Sequence, residues 1–426
     1  MKYWRVFLFI VGFIFIISIP YSVASDWQWS GMSESLVRSS WGYGYNETSN
    51  NLFGIEQYAN LRMKAPVGDR GIFISSVNLY IQSGSSNEVN ENNTDSFYSS
   101  TIDVDRLYYQ IKGDSFATDM GILRLSFGFG QLFRPTDFLI HPNPRNPDAR
   151  PRGILGLVCN WYPMDTLKMS FFGTGPYDTT ETNGRTSLAG IVSEHHGNHW
   201  SVQGLYAIQA GRPAMKVGSV TLRDATNEPL HRFGSSIKYD GPVSIVFDAL
   251  YTLDMHWLHT QTYYTRDWIW YRGLEAAIGL DFSINDGMFI ITSQYWYNGG
   301  SALVSQDSID MLYTKDWINT VPEQRSFNVN LPLGDLNRMH YFIVNGIYKI
   351  DDYTMLGSNA LIALEDGSFL CSFNIDHTLF QGTTVSLVNK IPVDMTMLYP
   401  SGWYGELGPA HVGYWVEMTL KLVMRF

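Results

Sequence analysis

The last thirteen residues of the chain, 414–426, constrain the fold more than any other stretch of the sequence. Every even-numbered residue from Tyr414 to Met424 is apolar, and the odd-numbered positions include Glu417, Thr419, Lys421 and Arg425. This period of two predicts a β-strand with one apolar and one polar face. The strand is longer than most strands of globular proteins and fits one that crosses a bilayer obliquely. The alternative is the edge strand of a secreted β-sandwich, but a long exposed edge is an aggregation hazard.

The same alternation recurs along the chain. Apolar residues occupy every second position or nearly so in four further stretches, at 53–63, 73–81, 107–111 and 274–284. One apolar and one polar face, repeated, is what a wall between lipid and an aqueous interior requires. We therefore expect the charged residues of the polar faces to point into the interior. The candidates are Glu56, Arg62, Lys64, Arg106 and Arg124.

The connections between these strands alternate in length. Eight short turns alternate with nine connections on the other side, of which only the one near Glu365-Asp366-Gly367 is short. Seventeen connections predict an all-β, antiparallel, up-and-down transmembrane barrel of about 18 strands with both ends on the periplasmic side. A count of 16 is the alternative. Barrels of 16 to 18 strands are wide enough to enclose an aqueous channel.

The N-terminus has the layout of a secretory signal peptide. Met1–Arg5 is basic, Val6–Ile19 is an apolar run of 14 residues, and small residues at Val23–Ser25 offer a cleavage site. An uncleaved anchor is the alternative, although the run is short for a membrane-spanning helix. We expect residues 1–25 to be the signal peptide and residues 26–426 the barrel. Cleavage and export would place the mature protein in the bacterial outer membrane.

The composition excludes several functional classes. The chain has 40 Asp and Glu residues against 29 Lys and Arg, a formal net charge of −11, and only 16% of its residues are charged. An acidic chain without a basic cluster argues against a nucleic-acid partner. The low charge argues against long soluble helices. The abundant aromatic residues and glycines instead suit strands joined by tight turns.

Sequence signals for chemistry are weak. No Gly-x-Ser-x-Gly, His-Glu-x-x-His or glycine-rich phosphate loop is present, so we do not expect an enzyme or a cofactor. The histidines of His195–His199 lie at an expected turn with one nearby carboxylate, and we expect no metal site there. Cys159 and Cys371 are the only cysteines, and we favour two free thiols over a disulfide.

The most distinctive segment is Gly121–Arg152. Porin-like outer-membrane barrels have a strand with Gly-Arg-Gln, then Trp-Gly, then a loop with Pro-x-Asp and further prolines. This chain resembles that family at Phe127-Gly128 and at Pro135-Thr136-Asp137, and it has Gly121-Ile122-Leu123-Arg124 where Gly-Arg-Gln would stand. The resemblance implies that the loop near 130–152 folds inward and narrows a channel.

This loop carries the candidate constriction residues. Four arginines and two aspartates give it a net charge of +2 within an acidic protein: Arg134, Asp137, Arg145, Asp148, Arg150 and Arg152. Fixed charges in a narrow pore select ions. One hypothesis is therefore a filter for weakly anionic solutes, in which the arginines face acidic groups across the lumen. The alternative is that the arginines and Asp137 pair to pin the loop to the wall.

The function expected from these features is passive uptake of small hydrophilic solutes through an outer-membrane channel. The alternative is a structural or adhesin barrel whose long loops bind host or envelope partners. The expected partners are outer-membrane lipids, small solutes and the barrel-assembly machinery, which would read Phe426 as the terminal aromatic signal. A homo-oligomer is compatible with this architecture and stays open.

Overall fold

Antiparallel β-strands make up nearly all of the chain that the computed structural model describes. The described residues are 27–43, 49–84, 97–139, 153–178, 185–211, 215–217, 220–223, 227–254, 273–285, 287–299, 338–394, 407–409 and 415–426. Within these ranges, no helix has the length and apolar character needed to cross a membrane. The expected signal peptide lies outside the described residues and stays a prediction.

The described residues form twenty strands. They are β1 (Gln28–Tyr43), β2 (Ser49–Val67), β3 (Gly71–Gly84), β4 (Phe97–Lys112), β5 (Phe116–Leu123), β6 (Ile154–Met164), β7 (Leu167–Asp178), β8 (Arg185–His196), β9 (Trp200–Gln209), β10 (Met215–Val217), β11 (Val220–Arg223), β12 (Leu230–Tyr239), β13 (Val243–Asp254), β14 (Leu274–Ile284), β15 (Phe289–Asn298), β16 (His340–Lys349), β17 (Thr354–Ala363), β18 (Phe369–Phe380), β19 (Thr383–Val393) and β20 (Val416–Arg425). The short strands β10 and β11 pair only with each other. They form a small hairpin in the connection between β9 and β12.

The other 18 strands form one closed antiparallel barrel, as the sequence predicted. Each pairs with its neighbour in the chain, and β1 closes the cylinder by pairing with β20. Closure extends to the last residue, because Gly31 and Phe426 exchange two backbone hydrogen bonds of 2.7 and 3.0 Å. Every strand of the wall therefore has a partner on both sides, and the sheet has no open edge.

The two faces of the wall differ in chemistry as expected. On β20, the outward side chains of Met418 and Leu420 are 40% and 50% exposed. The inward side chain of Glu417 lies 3.2 Å from the Lys390 amine on β19. An apolar outer face around a charged interior is the arrangement of a membrane-spanning barrel. Cys159 on β6 and Cys371 on β18 are both free.

The inner face is not uniformly polar. Two groups of buried apolar side chains cover parts of it, one on β7 to β13 and the other on β14 to β18. The first includes Phe172, Leu188, Val192, Leu205, Ala207 and Leu250; the second includes Ala277, Trp296, Tyr341, Ile343, Leu361, Ala363 and Leu370. Each group packs against residues between 124 and 139, after the end of β5, and this described part of the chain therefore lies inside the barrel.

The register of β20 predicts a sharp difference between adjacent positions. Leu420→Arg would place a charge on the lipid face, at a cost of about 2–4 kcal/mol near the midplane, and we expect poor assembly. Thr419→Arg is the matched control, because this side chain faces the lumen two residues from Glu417. The measurement is the yield of heat-modifiable barrel in the membrane fraction. Equal yields for the two variants would contradict this register.

Candidate functional site

The candidate site is the segment of residues 124–139, here called the inward segment. The sequence favoured an inward loop near 130–152 and placed Arg124 on a strand, but β5 ends at Leu123 and the chain turns inward six residues earlier. The reason is packing: Leu125 and Phe127 join the apolar group on β7 to β13 instead of facing lipid. This part of the sequence expectation was wrong.

Side chains of the wall bind the backbone of the inward segment. The Gly128 amide donates to Gln203 Oε1 on β9 at 2.7 Å, and the Phe129 amide donates to Ser236 Oγ on β12 at 3.0 Å. Gln203 in turn donates to Glu194 on β8, which fixes its orientation. The segment therefore follows the wall across neighbouring strands, although it pairs with none of them as a strand.

Gln294 on β15 makes the most complete of these contacts. Its Oε1 accepts from the Phe133 amide at 2.7 Å and from the Leu132 amide at 3.2 Å. Its Nε2 donates to the Phe133 carbonyl at 2.7 Å. The Phe133 ring stacks on Trp296 with 4.8 Å between the ring centroids, within the apolar group on β14 to β18. Hydrogen bonds to the backbone and apolar packing of the ring thus both fix Phe133.

Two aspartates meet beneath the inward segment. Asp137 accepts from the Ser126 hydroxyl at 2.7 Å and lies 3.3 Å from Arg134 Nη2. Its neighbour Thr136 donates to Asp248 Oδ1 on β13 at 2.7 Å. Both carboxylates are fully buried. Burial is the largest effect on Asp137 and raises its pKa to about 7, against the lowering effect of Arg134.

These contacts bear on the hypothesis that arginine pairs pin the loop. The Arg134–Asp137 pair is internal to the inward segment. The segment is attached to the wall by five uncharged or acidic side chains and, at its first residue, by one arginine pair, Arg124 with Asp105 on β4; the five are Gln203, Ser236, Asp248, Asp281 and Gln294. Arg145, Asp148, Arg150 and Arg152 lie outside the described residues, so their roles stay predictions.

A second feature is a cluster of arginines where the inward segment begins. In β4, Ser76 of β3 pairs with Arg106 and Val77 pairs with Val104, so Asp105 is an extra residue in a β-bulge. The bulge turns the adjacent Asp105 and Arg106 side chains toward the lumen, as bulges near functional sites often do. The buried Asp105 carboxylate accepts from Arg124 Nε at 2.7 Å.

Asp105 is outnumbered by cations. Arg106 Nε lies 3.9 Å from it, and Arg62 follows next along the same inward row, opposite Ser76. Arg62 and Arg124 both act on Arg106 electrostatically. Two guanidinium groups contact the Asp105 carboxylate and the third, Arg62, acts on Arg106, so the three arginines carry an excess positive charge over Asp105 beside the inward segment. Lys64 lies two residues from Arg62 on the same face of β2, toward the short turn.

The arginine cluster opens onto a recess between the inward segment and the wall from β4 to β8. Its polar lining comes from residues of both charges and from neutral donors: Arg106, Tyr108, Asp119, Arg124, Ser126, Asn160, Lys168, Ser170 and Glu194. Phe127 and Phe172 form its apolar side. A small solute carrying both polar and apolar groups would find partners for each here.

The wall at the barrel closure carries a row of paired charges. Glu417 on β20 lies 3.2 Å from Lys390 and 3.9 Å from Arg38 on β1, and Arg38 lies 3.7 Å from Glu56 on β2. A further pair joins Lys421 to a glutamate on β1 at 3.4 Å. The sequence hypothesis required acidic groups across the lumen. The structure provides them, but each is matched by a base.

The remaining candidates lie elsewhere. Phe426 points outward, with 72% of its surface exposed, and its ring covers Gly31 so closely that a Cβ there would lie 2.5 Å from it. Its role as an assembly signal stays a prediction. Among the described residues, no three His, Cys, Asp or Glu side chains converge in a way that could hold a metal ion.

The wall residues that hold the inward segment were not identified from the sequence. Gln203, Ser236 and Gln294 occupy ordinary inward positions, where polar residues are expected in any barrel. Asp248 was the exception that could have been noticed. It is the one charged residue in the apolar run from Ile245 to Leu250, and a charge in such a run usually has a specific partner.

The comparisons with known proteins concern this fold. No family model matches the sequence, and curated protein sequences give no match. The structure is similar to OccAB1 of Acinetobacter baumannii, with a TM-score of 0.53 and 9% identity over 96% of this chain and 98% of that one. OccAB4 of the same organism gives 0.52 and 12% over 94% and 98%, and OccK7 (OpdD) of Pseudomonas aeruginosa gives 0.50 and 11% over 94% and 99%. The chain has the fold of an outer-membrane β-barrel.

The contacts of Gln294 predict how the inward segment responds to their loss. Gln294→Leu would leave the Leu132 and Phe133 amides and the Phe133 carbonyl without their partner, at about 1–3 kcal/mol for each buried group. We expect a folded barrel whose amides near Phe133 exchange faster with deuterated water. Gln110→Leu is the control, because this inward glutamine binds Asp119 and not the segment. Unchanged exchange in Gln294→Leu would show that packing alone holds the segment.

Proposed function

We propose that the chain is a passive channel for small hydrophilic solutes in the bacterial outer membrane. An 18-stranded barrel has a lumen wide enough for water and small solutes. The charged row on β19, β20, β1 and β2 faces that lumen. Charged side chains on the inner face of a wall whose outer face contacts lipid are typical of a barrel with a water-filled interior.

The observation that carries the proposal is the attachment of the inward segment. Its polar contacts run along the wall from β9 to β15, on a different part of the circumference from the charged row. A segment fixed to one side narrows a pore without filling it. The solute path then runs between the inward segment and the charged row.

The charges beside this path favour anions weakly. The cluster of Arg62, Arg106 and Arg124 exceeds its carboxylate, Asp105, in charge. The charged row, which adjoins this cluster at β2, is balanced, since each of its carboxylates lies near a base. Fixed charge in a confined pore acts through a lower effective dielectric constant than at an open surface. We therefore expect a modest preference for anionic solutes.

Conductance in planar lipid bilayers tests the proposal directly. Purified, refolded barrel should give stable steps whose size rises with salt concentration. The adhesin alternative, in which long loops bind envelope or host partners, predicts a folded barrel without such steps. Folding is checked separately by heat modifiability, so a silent but folded barrel would refute the channel.

The arginine cluster gives a specific prediction for ion selectivity. The double variant Arg62→Gln with Arg106→Gln removes two positive charges and leaves the Arg124–Asp105 pair in place. We expect the reversal potential in a salt gradient to move toward cation preference, because the excess charge is lost. The matched control is Arg62→Lys with Arg106→Lys, which keeps the charge and should keep the selectivity. If the glutamine variant keeps the original reversal potential, the cluster lies outside the permeation path.

A further inference from the structure

The place where the inward segment meets β13 has an unusual balance of charge. Asp137 of the segment and Asp248 of the wall each have no exposed surface. They are brought together by Thr136, which precedes Asp137 in the chain and donates its hydroxyl to Asp248. The charge of Asp248 also acts on Asp137, as a smaller effect than burial. Two acids therefore share one buried location.

Gly128 closes this location. Its φ of +81° is one that residues with a side chain rarely adopt. A Cβ at Gly128 would lie 2.3 Å from Asp248 Oδ2 and 2.2 Å from Thr136 Oγ1. The backbone of the inward segment thus covers the carboxylate of the wall, and it leaves no space for a side chain between them.

One cation faces the two acids among the described residues. Arg134 lies 3.3 Å from Asp137 Oδ2 and also acts on Asp248. On β12, Arg232 is engaged with Gln209 and lies over the Phe138 ring, and Lys238 is bound to Asp240.

The other charged groups of the neighbouring strands are acids. On β14, Asp281 accepts from Gln131 of the inward segment, and Glu275 lies near Arg232. On β8, Glu194 is bound to Lys168 and Gln203. None of these strands supplies a second base to the two aspartates among the residues described.

The hydrogen bonds of the two aspartates are also incomplete. Asp137 Oδ1 and Asp248 Oδ2 are both buried without a well-aligned hydrogen bond, although the backbone at Phe127 acts on Asp137 and the backbone at Gly130 and Thr136 acts on Asp248. A buried ionised carboxylate oxygen without a partner is costly, whereas a protonated one is neutral and can donate. With two acids and one guanidinium, a single added proton makes the group neutral.

We propose that Asp137 and Asp248 together hold one proton while the inward segment is seated, and that its release to water as the pH rises loosens the segment. The proton leaves as a hydrated proton and no other bond is made or broken. We call this pH-dependent seating of the inward segment the latch. Its effect on conductance rests on the proposed channel function. The protonation of the pair does not depend on transport.

The direction in which pH changes the seating of the segment follows from the pKa of Asp137. Burial raises the pKa of Asp137 to about 7 when the segment is seated, from a value of 3.8 in water. The seated state therefore binds more protons than the released state between these two values. Seating is favoured at the acidic end, weakens as the pH rises toward about 7, and changes little above that pH.

Infrared difference spectroscopy tests the proton without reference to transport. Wild-type barrel in detergent should show the carbonyl stretch of a buried, protonated carboxylic acid at mildly acidic pH, and should lose it at mildly alkaline pH. Asp137→Asn should remove the part of the band that comes from this pair and Asp248→Asn should reduce it, because one acid beside one guanidinium ionises more readily than two. Buried Glu275 is present in all three proteins, so its contribution cancels when their spectra are compared. A band that survives unchanged in Asp248→Asn would overturn the shared proton.

Single-channel recording across the same pH range tests the latch. Current noise and mean conductance of the wild type should rise with pH and then level off, and Asp248→Asn should lose this dependence. Asp376→Asn is the matched control, since it removes an inward carboxylate on β18 that is bound to Asn374 and not to the segment. It should keep the wild-type pH profile.

The two readouts separate the possible failures. The infrared band together with a flat pH profile of conductance would mean that the proton is held but the segment does not respond, which refutes the latch. No conductance at any pH would refute the channel while the infrared result still decides the shared proton. If Asp248→Asn fails to fold, Asp137→Asn and the wild-type spectra decide the same question.

Discussion

The structure depends on one requirement, that backbone hydrogen-bonding groups surrounded by lipid must find partners within the protein. Eighteen strands meet it by closing into a cylinder, and the closure is carried to the last residue by the bonds between Gly31 and Phe426. The inward segment is enclosed by the barrel and not by lipid, but its buried backbone groups also need partners and no strand pairs with them. Its amides at Gly128, Phe129 and Phe133 are satisfied by side chains of the wall.

This arrangement explains why the inner face is not simply polar. A segment held only by hydrogen bonds inside an aqueous lumen would compete with water for each of them. Phe127 and Phe133 add apolar burial at two separated points on the wall. Burial excludes water around the nearby hydrogen bonds and makes their loss expensive. Apolar inner patches therefore mark where the segment lies.

The barrel was predictable from the sequence because its signals are repeated. The period of two, the alternation of short and long connections and the terminal strand each gave the same answer, and the structure confirms 18 strands. The start of the inward segment was not predictable in the same way. Leu123, Leu125 and Phe127 continue the pattern of a strand, and only the inner apolar patches, formed by residues distant in sequence, show that this face turns inward.

The residues of the candidate site also differ in how far the local sequence could predict them. Arg62 and Arg106 could be placed on inward faces because the local alternation determines them. The pairing of Asp137 with Asp248 joins residues separated by more than a hundred positions, and no local pattern encodes such a contact. Single-sequence reasoning finds which face a side chain is on. It does not find which distant residue that side chain contacts inside the barrel.

The bulge in β4 has a consequence for how this chain can change. Before Asp105, the even positions from Tyr98 to Val104 face outward, whereas from Leu107 onward the odd positions do. The alternation of inward and outward side chains thus shifts by one position at Asp105, which divides the strand into two frames of alternation. Deletion of that residue would join the two halves in one uninterrupted alternation with their faces unchanged, whereas regular pairing with the residue still present would turn the lumen side of one half toward lipid. The salt bridge from Arg124 to Asp105 sits at the junction of the frames, so the same residue that sets the charge of the lumen also fixes the register of the wall.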